Sequence, residues 1–160
     1  MKPLVPILMG SKSDLKHGQA VADALAKFGI DSEIRVASAH KVPVYLLDLL
    51  KHYEADARPK VYVTIAGRSN ALSGMVDAQV SSPVIACPPI SDAFGGADVF
   101  SSLRMPGGVA PAVILDPEGA ALFAAKIFGQ MDVTLREKVA ALQRQNAERL
   151  LGDDAELNAK

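Results

Sequence analysis

Residues 60–80, KVYVTIAGRSNALSGMVDAQV, decide the fold. The first seven form a β-branched apolar run bounded by Pro59 and Gly67, and ALSGMVDAQV beyond the loop has the composition of a short helix despite Gly74. A continuous apolar run marks a strand buried on both faces, and a helix straight after it is the crossover that a parallel neighbour requires.

The same order recurs on either side. Upstream, PLVPILM (3–9) ends at Gly10, and Leu15, Val21, Ala22, Leu25 and Phe28 follow at roughly helical spacing. Gly29 then supplies a helix stop, DSEIRVA (31–37) a second strand, and Pro43 a first helical position for VPVYLLDLLKHY (42–53). Downstream, PVIACPP (83–89) and PAVIL (111–115) read as fourth and fifth strands, with EGAALFAAKIFG (118–129) a packed helix. Five strands alternating with helices predict an α/β three-layer sandwich around a five-stranded parallel sheet, flavodoxin-like in strand order. A further amphipathic helix spans residues 133–151, carrying Leu135, Val139, Leu142, Leu150 and Leu151, and its apolar stripe is assigned to subunit contacts. The polar tail GDDAELNAK is expected to fray.

At 160 residues and 49% hydrophobic, the chain suits one domain, residues 1–160. Its 17 basic and 18 acidic residues are spread evenly, so it has no electrostatic footprint for nucleic acid or for an anionic membrane. The single cysteine, Cys87, excludes an intramolecular disulfide, and the apolar N-terminal run is too short for a signal peptide or a membrane span. A cytoplasmic protein is the expectation.

In such sheets ligands sit beyond the carboxyl ends of the strands, where strand order reverses. The loops to inspect are GSKSD (10–14), SAHK (38–41) and GRSN (67–70), which lie side by side if the strand order is 2-1-3. Each pairs small or hydroxyl residues with one cation, Lys12, Lys41 or Arg68, at the start of a predicted helix. That is the unfavourable end of the helix dipole for positive charge, so an anionic ligand explains the placement better than stability does. Ser11, Ser13 and Asp14 are equally ordinary as helix caps, and a cap is compatible with a ligand contact. Amides of Gly10 to Ser13 suit a phosphate, and the Asp14 carboxylate suits a ribose hydroxyl. MGSKSD lacks the spacing of a triphosphate-binding loop.

His40 falls inside this cleft, and imidazole is the side chain that takes and returns a proton near neutral pH. His17 and His52 fall within helices and read as surface residues. Cys87 reads as a small buried thiol at a strand end, and neither it nor His40 has neighbours in a metal-ligand spacing. No metal site or cofactor is expected.

Together, MGSKSD, SAHK, AGRSNALSG, PVIACPP and SSLRMP resemble the phosphoribosylaminoimidazole carboxylase family of purine biosynthesis, collinearly from residue 4 to about residue 129. That family has two branches. One is a mutase that moves the carboxylate of N5-carboxyaminoimidazole ribonucleotide; the other carboxylates aminoimidazole ribonucleotide at C4 with carbon dioxide. The mutase branch typically has a glycine- and alanine-rich third loop with a histidine of its own, whereas AGRSNALSGM has none and resembles the carbon dioxide-using, animal-type branch. The resemblance implies a homo-oligomer, typically an octamer, acting on these small molecules. It implies His40 as the proton carrier, with Ser11 and Asp14 on the ribose phosphate and Ser38, Ala39 and Lys41 flanking the nucleotide. Gly67, Arg68, Ser69 and Asn70 would lie beside the base and the carbon dioxide. The mutase reaction remains the near alternative, and a non-catalytic flavodoxin-like nucleotide-binding module the distant one.

Overall fold

The computed structural model describes residues 1–159. Its sheet runs β1 (Leu4–Met9), β2 (Asp31–Val36), β3 (Tyr62–Ile65), β4 (Val84–Ala86) and β5 (Ala112–Val113), all parallel, in the order β2-β1-β3-β4-β5. The crossovers are α1 (Leu15–Phe28), α2 (Pro43–Glu54), α3 (Ala71–Asp77) and the single turn α4 (Phe100–Leu103); α5 (Pro117–Phe128) and α6 (Val133–Asn158) follow the last strand.

β1 shows why the molecule has three layers. All six of its residues are buried, and alternate side chains enter different cores. Val5, Ile7 and Met9 pack with Val21 and Leu25 of α1 and the alanines of α5, whereas Leu4 and Leu8 meet Leu46 and Leu50 of α2 and Val76 of α3. Ala120, Ala121, Ala124 and Ala125 make α5 slim on its buried face.

The punctuation matches the expected elements. Gly29 ends α1 in the left-handed region at φ 76°, where a side chain would be strained. Pro43 opens α2, and Asp116 and Asp132 cap α5 and α6 by accepting the amides of Gly119 and Leu135.

Two expectations change. The fifth strand is only Ala112–Val113, because β4, the strand it pairs with, spans just three residues. The tail expected to fray from residue 152 is helical to Asn158, held by an Arg149–Asp153 ion pair at 3.4 Å and by Asn158 Nδ2 donating to the Asp154 carbonyl. The stripe on α6 is also divided. Leu135, Val139 and Leu142 pack on the chain's own core, while Leu150 and Leu151 are 58% and 70% exposed.

Gly18 sets the approach of α1 to the sheet. A Cβ there would lie 2.7 Å from Met9 Sδ and 3.5 Å from Ile65 Cδ1. Gly18→Val is expected to destabilise the fold by about 1–3 kcal/mol through overpacking, measured as a fall in Tm by calorimetry. An unchanged Tm would mean that Met9 moves aside freely.

Candidate active site

Because β1 lies between β2 and β3, the loops leaving these three strands open into one crevice at their carboxyl ends. The crevice encloses about 520 Å³, within the usual range for a small-molecule site.

The first loop contributes Gly10, Ser11, Ser13 and Asp14 to its lining. Ser11 Oγ accepts the amide of Ser13 at 3.2 Å and its hydroxyl at 2.9 Å, making the cap of a short 3-10 turn, Lys12–Asp14. Asp14 stands at the start of α1, makes no side-chain cap bond to that helix, and lines the cleft. The amide of Gly10 is spent on the Ile65 carbonyl and that of Ser13 on Ser11, which corrects the expectation that all four loop amides face a ligand. Lys12 is exposed outside the lining, so the cations of the cleft are Lys41 and Arg68.

Ser38, Ala39, His40 and Lys41 line it from the second loop. Ser38 shapes that loop: its hydroxyl accepts the Lys41 amide at 3.3 Å and its carbonyl accepts the Val42 amide at 3.0 Å. His40 stands at an exposed corner of this turn, three residues before Pro43 starts α2.

From the third loop come Gly67, Arg68 and Ser69, above a floor of Ala66 and Leu72. Arg68 has φ 56°, a left-handed backbone that costs a non-glycine residue roughly 1–2 kcal/mol. Asn70, grouped with these residues in the sequence, does not reach the cleft. It is 4% exposed, caps α3 by accepting the Ser73 amide at 3.1 Å, and donates through Nδ2 to Ser102 Oγ at 2.9 Å. Ser73 Oγ lies 2.9 Å from Asn70 Oδ1 and 2.8 Å from Thr64 Oγ1, which completes a buried chain of four polar side chains beneath the loop. Ser101 and Ser102 open SSLRMP, one of the motifs that carry the family resemblance, but the sequence assigned them no place at the site; the signal was two adjacent hydroxyls in the otherwise apolar turn FSSL.

His17 also departs from expectation. It is half-buried, with Nε2 3.4 Å from Cys87 Sγ, and burial pulls its pKa down. Burial pushes the Cys87 thiol up to about 12, as expected of an inert core thiol.

Burial also raises the pKa of Asp14, outweighing the Ser11 hydrogen bond and the nearby His17, which act the other way. A carboxyl that holds its proton more tightly when folded favours folding below its free value of 3.8 and loses that contribution as pH rises through the raised value. Asp14→Asn is therefore expected to be more heat-stable than the parent at neutral pH, with the difference vanishing as pH falls below 3.8. Tm measured across pH checks this.

The chain matches the AIR carboxylase family over residues 4–149. It is 52% identical over 157 residues to a phosphoribosylaminoimidazole carboxylase of Treponema denticola, covering 98% of this chain and 99% of the relative. To the protein of that name from Archaeoglobus fulgidus it is 55% identical over 151 residues, covering 94% of this chain and 83% of the relative. The mouse bifunctional phosphoribosylaminoimidazole carboxylase/phosphoribosylaminoimidazole succinocarboxamide synthetase is 50% identical over 125 residues, 78% of this chain but 29% of that longer protein. The solved structure of Treponema denticola PurE superposes with a TM-score of 0.96 at 52% identity, covering 98% of this chain and 99% of that one. Matched across nearly its whole length in both sequence and backbone, this chain belongs to the AIR carboxylase family, enzymes of purine biosynthesis.

Proposed function

We propose that this enzyme carboxylates aminoimidazole ribonucleotide at C4 with carbon dioxide. The observation that carries the reading is the cleft itself: one imidazole, one carboxylate and two cations meet there on loops rich in hydroxyls, and the third loop, AGRSN, brings no second histidine. The relatives that bear the carboxylase name, including the mouse bifunctional protein at 50% identity, support it.

The chemistry asks little of the protein. C4 of an aminoimidazole is enamine-like, so its electron pair adds to the carbon of carbon dioxide and a C–C bond forms. The C4 proton then leaves and aromaticity returns. Orientation, a sheltered pocket and a proton acceptor suffice. His40 takes the C4 proton and, exposed at the rim, passes it to water. Ser11, Ser13 and Asp14 hold the ribose phosphate end. Ser38, Ala39 and Lys41 flank the nucleotide, while Gly67, Arg68 and Ser69 face the base and the new carboxylate. Lys41 and Arg68 offset the negative charge of the product.

The mutase reaction on the same fold is the second reading, favoured by the likeness to a bacterial PurE. Turnover of aminoimidazole ribonucleotide with bicarbonate, compared with turnover of the N5-carboxylated nucleotide, separates the two. Productive conversion of the N5-carboxylated compound alone would replace the carboxylase reading.

His40→Asn is expected to lower kcat by about 100- to 10,000-fold while leaving nucleotide affinity within a few-fold. Near-normal turnover would remove His40 from the proton transfer.

A cytoplasmic homo-octamer is part of the same proposal. Among the described residues no helix is long and apolar enough to cross a membrane. Leu150 and Leu151 on α6, with Ile90 and Phe94 elsewhere 82% and 86% exposed, offer apolar surface for contacts between copies. Light scattering at micromolar concentration is expected to give a multimer, and truncation before Asp132 a smaller assembly; a monomeric intact protein would overturn this.

A further inference from the structure

Ser101 stands on α4, 33 residues from Arg68, yet it meets the third loop at two points. Its Oγ accepts the Asn70 amide at 3.0 Å and lies 3.0 Å from the Arg68 carbonyl and 2.8 Å from that of Asp98. The single hydroxyl proton serves these two carbonyls in turn. Next to it, Ser102, 1% exposed, takes the Asn70 side chain. Two consecutive hydroxyls thus grip two residues of the loop, and the residue between the grips is Ser69, which lines the cleft together with Arg68.

Arg68 is the residue whose backbone needs holding. A side-chain-bearing residue at φ 56° persists only where its surroundings over-determine it. Asn70 anchors the far side of the loop from below, through Ser73 and Ser102, but makes no bond to the Arg68 carbonyl. Ser101 does, and its other carbonyl partner, Asp98, ties it back to the segment on which α4 begins.

We propose that Ser101 is a positioning residue of this site: its hydroxyl locks Arg68 in the left-handed backbone conformation and so fixes how Arg68 and Ser69 meet the reacting end of the substrate. The inference rests on the carboxylation reading for its kinetic consequence and on geometry alone for its structural one. Ser101 touches no substrate; it acts through the loop. The nucleotide is held mainly by the first two loops, so losing Ser101 falls on the chemical step and not on nucleotide binding.

The test compares Ser101→Ala with Ser101→Thr, which keeps the hydroxyl. At 25 °C the alanine variant is expected to lose about ten-fold in kcat with the KM for aminoimidazole ribonucleotide within about two-fold, and the threonine variant to recover most of the loss. A general loss of stability would lower Tm without producing that split or that rescue. Crystal structures of both variants supply a reading independent of activity: Arg68 leaves positive φ in the alanine variant and keeps it in the threonine variant. Where Ser101→Ala fails to fold, Ser101→Cys, a weaker donor of similar size, gives the same readings at smaller amplitude. An Arg68 that stays left-handed in the alanine variant, or a kcat equal to that of the parent, overturns the proposal. If the parent protein itself does not carboxylate the nucleotide, the carboxylase reading falls, and the Arg68 backbone in the two crystal structures still decides the role of Ser101.

Discussion

β1 is hydrogen-bonded along both edges, to β2 on one side and to β3 on the other, and the cleft exists because of that double pairing. The chain passes from β1 out to β2 and then back across β1 to β3, and these oppositely directed right-handed connections must lie on opposite faces of the sheet. Here α1 goes to the face shared with α5 and α6, and α2 to the face shared with α3. The loops that leave β1, β2 and β3 meet at the carboxyl end of the sheet and line the cleft between the two helical layers. Polar loops can be placed there because β1 and β3, buried along their whole length, need nothing from them.

That floor is not inert. Thr64, Ser73, Asn70 and Ser102 form a buried polar chain between β3, α3 and α4, in which each side chain finds a partner. Such a network is costly when incomplete and specific when complete. Its geometry admits one arrangement of the third loop, at the expense of one strained residue, Arg68. The first loop carries a similar compromise, a carboxylate held where burial disfavours its charge. Groups placed against their own stability are what a binding site looks like from a folding point of view.

Much of this was legible in the sequence because it is local. A β-branched run, a helix-stopping glycine at position 29 and a proline at position 43 each act within a few residues, and parallel pairing then follows from the spacing of strands and helices. The three loops could be singled out because topology alone brings them together, whatever the side chains do. Where the reading stopped, the cause was long-range contact. Asn70 looks like a ligand residue until Ser102, 32 positions away, claims its amide. His17 looks like a surface residue until Cys87, 70 positions away, is found beside it. The length of α6 failed for the opposite reason: its last turns are held by contacts four residues apart, weak enough that polar composition alone reads as fraying.

Cys87 is the chain's only thiol, sits at the end of the three-residue β4 and has no exposed surface. Burial pushes its pKa up to about 12, so alkylating reagents meet neither an accessible sulfur nor a thiolate. Its modification has to wait for the helical layer over it to open, α1 with His17 beside the sulfur, which makes the rate of labelling a clock for that opening. The molecule thus carries an intrinsic reporter of its own breathing, and cysteines introduced at the surface can be tagged without competition from within.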